Sequence, residues 1–200
     1  EGCTGTNDHN QTLEDEAKFG NDISLVDNML AVLAWKGHGD DSASRGENTA
    51  RGEVYLYNLA NNDFSGGATL QAMIGEDYGS GNSGRDIHLE GDQKFALEEV
   101  SIDKDSDGVY LALGHMKDYG GSGGTQTEGS VNLYSFTDTA FNGGVPEGVV
   151  GRDYTGSQDV NVDHISNNTN SLFGQGVSLN DNRLAVGSNG NGYGGTGVAY

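Results

Sequence analysis

"FGNDISLVDNMLAV", residues 19–32, returns far downstream as "FGQGVSLNDNRLAV", residues 173–186. Between them lies "FALEEVSIDKDSDGVYLAL", residues 95–113. It opens on the same Phe-small pair, carries the same Val/Ile-Ser-Leu/Ile core and ends on Leu-Ala-Leu. The three phenylalanines, Phe19, Phe95 and Phe173, are 76 and 78 residues apart. The middle copy holds about four extra residues at its turn, and self-similarity at so fixed a spacing is the signature of a repeat architecture.

Other landmarks keep the period. "EVYLYNL" (53–59) matches "SVNLYSF" (130–136) and the shortened "GVAY" (197–200). "NNDFSGG" (61–67) matches "DTAFNGG" (138–144), and "IGEDYGSG" (74–81) matches "VGRDYTGS" (150–157). "DIHLE" (86–90) matches "DVNVD" (159–163), which sets His88 against Asn161. The chain therefore divides into the tail of a preceding unit (1–18), unit one (19–94), unit two (95–172) and the start of unit three (173–200). That is about 2.6 units of about 76 residues each.

Each unit reads as four antiparallel strands. The first, "DISLV" or "GVSLN", alternates apolar with small polar residues, as a half-buried strand does. Asp27-Asn28 and Asp181-Asn182 suit two-residue hairpins, because Asx residues tolerate left-handed φ. Strand two is "MLAVLAW" or "RLAVGS", strand three "EVYLYNL", strand four "TLQAMIG" or "EGVVG". A further segment of about 20 residues leads to the next Phe-Gly. The expected fold is all-β: tandem four-stranded antiparallel blades, β-propeller-like, as an open array or as part of a larger propeller. Tyr55, Tyr57, Tyr134, Phe64 and Phe141 are expected to pack between successive blades.

Composition narrows the function classes. With 10 Lys and Arg against 30 Asp and Glu, the formal charge is −20. That field repels nucleic acid and anionic membrane, attracts cations and is best tolerated in salt, so a saline extracellular setting suits it. The one cysteine, Cys3, excludes an intrachain disulfide. It takes the slot of Tyr78 and Tyr154, as a small buried replacement or as a cross-link to a neighbouring chain. No apolar run reaches membrane-spanning length.

The sharpest local motif is the expanded turn "DKDSDG", residues 103–108. Alternate carboxylates followed by Gly can wrap a hard cation, and Ca²⁺ takes six to eight oxygens. Asp103, Asp105 and Asp107 are the expected ligands, with the Val109 carbonyl adding one. Leu111 and Gly114 stand where the later loop ligands usually fall. The plainer alternative is an acidic hairpin turn in which Gly108 supplies positive φ. Asp40, Asp41 and Glu47 form a solvated loop or a second cation site. Asp159, Asn161 and Asp163 share one face of an extended strand, most simply the wet face of an edge strand, as the repeat copy Asp86, His88 and Glu90 supports, with a cation site as the alternative. The histidines at 9, 38, 88, 115 and 164 do not cluster as a zinc centre requires. Asn10 and Asn167 head glycosylation sequons.

The units resemble FG-GAP-type β-propeller repeats, as in integrin α-subunit heads. The resemblance is carried by Phe19-Gly20, Phe173-Gly174, the Leu-Ala-Val strand and the Val-Tyr-Leu-Tyr strand. They are also similar to long arrays in very large bacterial secreted exoproteins of adhesin or haemagglutinin type. Ala96 departs from the pattern in unit two. The likeness implies Asp-x-Asp-x-Asp-Gly calcium loops between the first two strands of a blade. It also implies an extracellular or cell-surface, non-enzymatic structural or adhesive module. Its partners are then neighbouring copies of itself, adjoining repeats, or cell-surface polysaccharide or protein. An open strand edge adds fibre assembly to that list. The rival classes are a propeller of a secreted carbohydrate-active hydrolase and an integrin-like protein-binding head.

Overall fold

The computed structural model describes residues 17–37, 52–61, 65–75, 85–89, 97–118, 120–121, 128–162, 171–181 and 183–188, and the backbone of 198–199. All the regular structure among them is strand. The first sheet holds β1 (Phe19–Val26), β2 (Met29–Ala34), β3 (Glu53–Leu59), β4 (Ala68–Gly75) and β5 (Ile87–His88). The second holds β6 (Leu97–Lys104), β7 (Val109–His115), β8 (Ser130–Phe136), β9 (Val145–Gly151) and β10 (Val160–Asn161). The third holds β11 (Phe173–Asn180), β12 (Arg183–Ser188) and β13 (Val198–Ala199). In each sheet the strands lie side by side in chain order, so the sheets correspond to the three repeat units.

The antiparallel meander follows the expected strands, but each full sheet has a fifth member. β5 and β10 are two residues long and run parallel to β4 and β9. They fall in what the sequence presents as a connecting segment. Asp86 and Asp159 hold them in place: their carboxylates accept the Met73 N–H at 2.8 Å and the Val149 N–H at 2.9 Å. The expected wet edge strand at Asp159 and Asn161 is there: β10 lies at the sheet's edge with both of its residues, Val160 and Asn161, exposed, and it runs parallel to β9. Gly75↔His88 and Gly151↔Asn161 share a register, which bears out the alignment of His88 with Asn161.

Local geometry repeats with the sequence. Asp27 and Asp181 take left-handed φ of 50° and 46°. Val26↔Met29 and Asn180↔Arg183 close two-residue loops there. The four extra residues of unit two are shared out between ladder and turn. Lys104↔Val109 adds one rung, and the turn widens to Asp105–Gly108. Gly108 is not among the residues with positive φ, contrary to the plainer expectation for it. It is small because a Cβ there would sit 2.6 Å from the Phe136 carbonyl oxygen. In unit three, Ser188 pairs with Val198, so Val198 takes the place of Glu53, one residue on from the sequence match.

The sheets stack face to face. Met29, Ala31, Leu33, Val54, Leu56 and Ile74 of the first sheet meet Val100, Ile102, Leu111, Leu113, Tyr134 and Phe136 of the second. The opposite face of the second sheet, with Ala112, Val131 and Leu133, meets Phe173, Val177, Leu184 and Val186 of the third. Alternation along every strand makes this possible, since odd and even residues feed different junctions. Tyr134 and Phe141 pack between sheets as expected. Tyr55 and Tyr57 lie on the far face of the first sheet. Phe64 and Phe95 lie outside the described residues.

Side chains of each first strand also reach the next. Edge amides need partners. Asp22 Oδ2 accepts the Val100 N–H at 2.7 Å, and Ser24 Oγ accepts the Ile102 N–H at 3.0 Å. One unit on, Ser101 Oγ accepts the Leu179 N–H at 2.9 Å and Asp103 Oδ2 accepts the Asp181 N–H at 2.8 Å. All four bonds span 78 residues.

Candidate functional site

The acidic turn is built by β6 and β7. The Asp105 N–H donates to the Gly108 carbonyl at 3.1 Å and closes the loop. The Asp105 Oδ1 accepts the Asp107 N–H at 2.7 Å and the Gly108 N–H at 3.1 Å, an Asx-type cap. Asp107 Oδ1 takes the Ser106 hydroxyl at 3.2 Å. Asp103 turns to Asp181 in the third sheet. Val109 is buried in the ladder between Lys104 and Phe136. The three carboxylates therefore serve separate sets of partners. Among the described residues, no three His, Cys, Asp or Glu side chains are grouped so as to hold a metal ion.

Beside the turn, a groove of ≈ 500 Å³ runs between the second and third sheets, with Asp103, Asp107, Tyr110, Ser135, Glu147 and Arg183 on its walls. Glu147 accepts the Ser135 hydroxyl at 2.5 Å.

A second polar centre, which the sequence reading passed over, lies at the other end of the second sheet. Asp118 is buried just after β7. Its Oδ2 accepts the Ser130 hydroxyl at 2.5 Å and the Tyr154 hydroxyl. Its backbone carbonyl accepts the N–H groups of Glu128 at 2.7 Å and Gly129 at 2.9 Å. The buried Glu128 pairs with Arg152 at 3.2 Å. Burial pushes the Glu128 carboxyl up, and Arg152 opposes the shift. Burial, with the charge of Asp118, pushes the Tyr154 phenol up.

Unit one builds the same corner with the carboxylate moved. Gly37 stands where unit two has Asp118, and Glu53 where it has Ser130, as the matching bonds Gly52 N–H to Gly37 carbonyl and Gly129 N–H to Asp118 carbonyl show. A Cβ on Gly37 would run into the Glu53 carboxyl group, so the glutamate fills the space that Asp118 fills in unit two. Tyr55 donates to Glu53 Oε2 at 2.6 Å. Aligning the two loops pair by pair would have revealed the exchange. Both corners tie strand ends together by charge-assisted bonds.

The loop with Asp40, Asp41 and Glu47 lies outside the described residues, as do Cys3, Tyr78, Asp163, the histidines at 9, 38 and 164, and both sequons. Among the described residues, no helix is long and apolar enough to cross a membrane. No protein-family model matches the chain, and no curated protein matches it either.

Proposed function

We propose that the chain is a non-enzymatic structural and adhesive repeat module of an extracellular or cell-surface protein, its units acting as propeller-like blades. One observation carries the reading: successive sheets are joined by the same apolar faces and by side-chain-to-amide bonds at one constant offset. Such joints build a surface by repetition, and each unit buries what its neighbour leaves bare. The charge of −20 keeps that surface solvated and turns it toward cationic or saline surroundings. Its loops are then free to meet polysaccharide or protein.

The test is a binding screen paired with an activity screen. The chain is expected to be retained on immobilised polysaccharide or surface protein and to turn over no glycoside or ester. Turnover abolished by one acid substitution would move the protein to the hydrolase class.

Calcium at the turn is the finer part of this proposal. It rests on the ligand pattern of Asp103, Asp105, Asp107 and the Val109 carbonyl, and it requires Asp105 to exchange two backbone N–H groups for a cation. Calcium is expected to raise the melting midpoint, and Asp107→Asn to remove the rise. A midpoint indifferent to EDTA leaves the turn a hydrogen-bonded hairpin and nothing more.

A further inference from the structure

We infer that Glu99 is a proton-controlled tie between the units: protonated, it donates to the Asp22 carboxylate of unit one, and ionised, it turns and accepts the Val177 N–H of unit three. The inference goes beyond the module reading and uses only the stacking inside the molecule.

The repeat supplies the geometry. Asp22 pairs with Leu33, Glu99 with Gly114 and Gly176 with Gly187, so the three hold the same place in their first strands. In unit one that place caps the next unit: Asp22 Oδ2 accepts the Val100 N–H at 2.7 Å. One unit on, Glu99 stands where Asp22 stands, and Val177 where Val100 stands. The hairpin closed at Asn180↔Arg183 turns the Asn180 and Ser178 N–H groups into the ladder, and therefore the Leu179 and Val177 N–H groups outward. Leu179 donates to Ser101. Glu99 is two residues from Ser101 on β6, so it shares the face turned to the third sheet. The third sheet comes close there. A Cβ on Gly114 would run into the Gly174 carbonyl and lie 3.2 Å from the Glu99 Cβ. Glu99 therefore has a carboxylate behind it and an outward amide ahead of it.

At the first junction its carboxyl hydrogen-bonds to Asp22. Asp22 already accepts the Val100 N–H, which favours its ionised form, so the shared proton sits on Glu99. Burial, and then the charge of Asp22, push the Glu99 carboxyl up to about 7, and Glu98 adds to the push. Lys117 Nζ lies 3.9 Å from Glu98 Oε1. β7 sets His115 beside Gly114 and carries Tyr110 at its far end. Asp103 and Lys104, farther along β6, are engaged with Asp181 and Asp27. β2 and β11 carry no titratable side chain. Once the proton leaves, two carboxylates face each other and repel. The glutamate then caps the edge amide of the third sheet as Asp22 caps that of the second, by a charge-assisted bond.

Amide spectra of the intact chain, recorded from about pH 5 to 9, test this. The Val177 N–H is expected to move with a midpoint near 7, together with the Glu99 carboxyl carbon. Its exchange protection, taken relative to Leu179 so that the intrinsic pH dependence cancels, should rise at least about tenfold over that range. Glu99→Gln keeps the size and cannot ionise, so the Val177 response should vanish. Asp22→Asn still accepts the Val100 N–H but removes the opposing charge, so both midpoints should fall together. This second variant reads a shift rather than a loss, and it carries the test if Glu99→Gln unfolds. A Val177 amide indifferent to pH overturns the inference. So does a response that survives in Glu99→Gln, or a midpoint that stays in place in Asp22→Asn. Protection at Val100 and Leu179 reports the stacking separately. With both protected and Val177 unresponsive, the tie alone falls; with both unprotected, the module reading falls with it.

Discussion

The two junctions inside the molecule use the same rule with unequal completeness. Between the first and second sheets, Leu33, Leu56, Ile74, Leu111, Leu113 and Phe136 are all essentially removed from solvent. Between the second and third, Phe173 and Val186 are buried, but Leu133, Val150, Val177, Leu179 and Leu184 are only half-buried. The side-chain-to-amide bonds are equally present in both. The polar contacts are therefore common to both junctions, while the amount of apolar surface closed differs between them. Ladder bonds of this kind contribute roughly 1 kcal/mol each, and full burial of a large side chain about 1.5–3 kcal/mol. The first junction should thus dominate stability.

Truncation tests that difference most directly. Phe136, edge-on to Phe141 at 5.3 Å, sits in the closed junction. Phe136→Ala is expected to cost about 3–5 kcal/mol in denaturant unfolding, and Leu184→Ala in the open junction roughly 1 kcal/mol. Equal losses would break the comparison.

A smaller effect separates strain from contact. Gly129 has φ of 83°, and a Cβ there would overlap the Phe173 carbonyl; Gly20 has φ of 81° with nothing within 4 Å. Gly20→Ala is expected to cost only the left-handed backbone, about 1–2 kcal/mol. Gly129→Ala adds overpacking of about 1–3 kcal/mol and should loosen the second junction alone, read by exchange at the Leu179 amide.

The smallest expected effect is a pair of pH responses of opposite sign, at Glu99 and at His115. Glu99 of β6 is pushed up to about 7, first by burial and then by the charge of Asp22. Its stabilising contribution is complete below the ordinary glutamate range and is lost as pH rises through about 7. Burial lowers His115 to about 4, against the pull of Asp118. The neutral imidazole's contribution is present above about 6.5 and is lost as pH falls through about 4. Urea midpoints between about pH 4 and 8 should lose their alkaline slope in Glu99→Gln and their acid slope in His115→Asn.

The meander was legible because alternation and Asx turns are local signals. Ser24 and Ser101 were legible as the small polar residues of a strand, but their partners lie 78 residues on, where no local pattern points. The edge strand at Asn161 was legible, but its parallel pairing with β9, like that of β5 with β4, escaped because two residues carry no periodicity. Asp86 and Asp159 looked like members of a wet face, and their bonds run backward to the preceding strand. The exchange of Gly37 and Glu53 for Asp118 and Ser130 shows only when both loops are read as pairs. The acidic turn stood out for its spacing, while the partner of each carboxylate depended on which neighbour the fold brought near.

The turn of unit two also separates two things that repeat proteins usually couple. Two residues cap the hairpin in units one and three, four cap it in unit two with an added rung, and the inter-unit offset is 78 on either side. The tip therefore lengthens while the same strand positions, Ser24 with Ile102 and Ser101 with Leu179, still bond between units. Successive tips can diverge in sequence, charge and reach while the stack beneath them keeps its pitch, which makes the row of tips the place where such a protein can acquire new recognition at little risk to its framework.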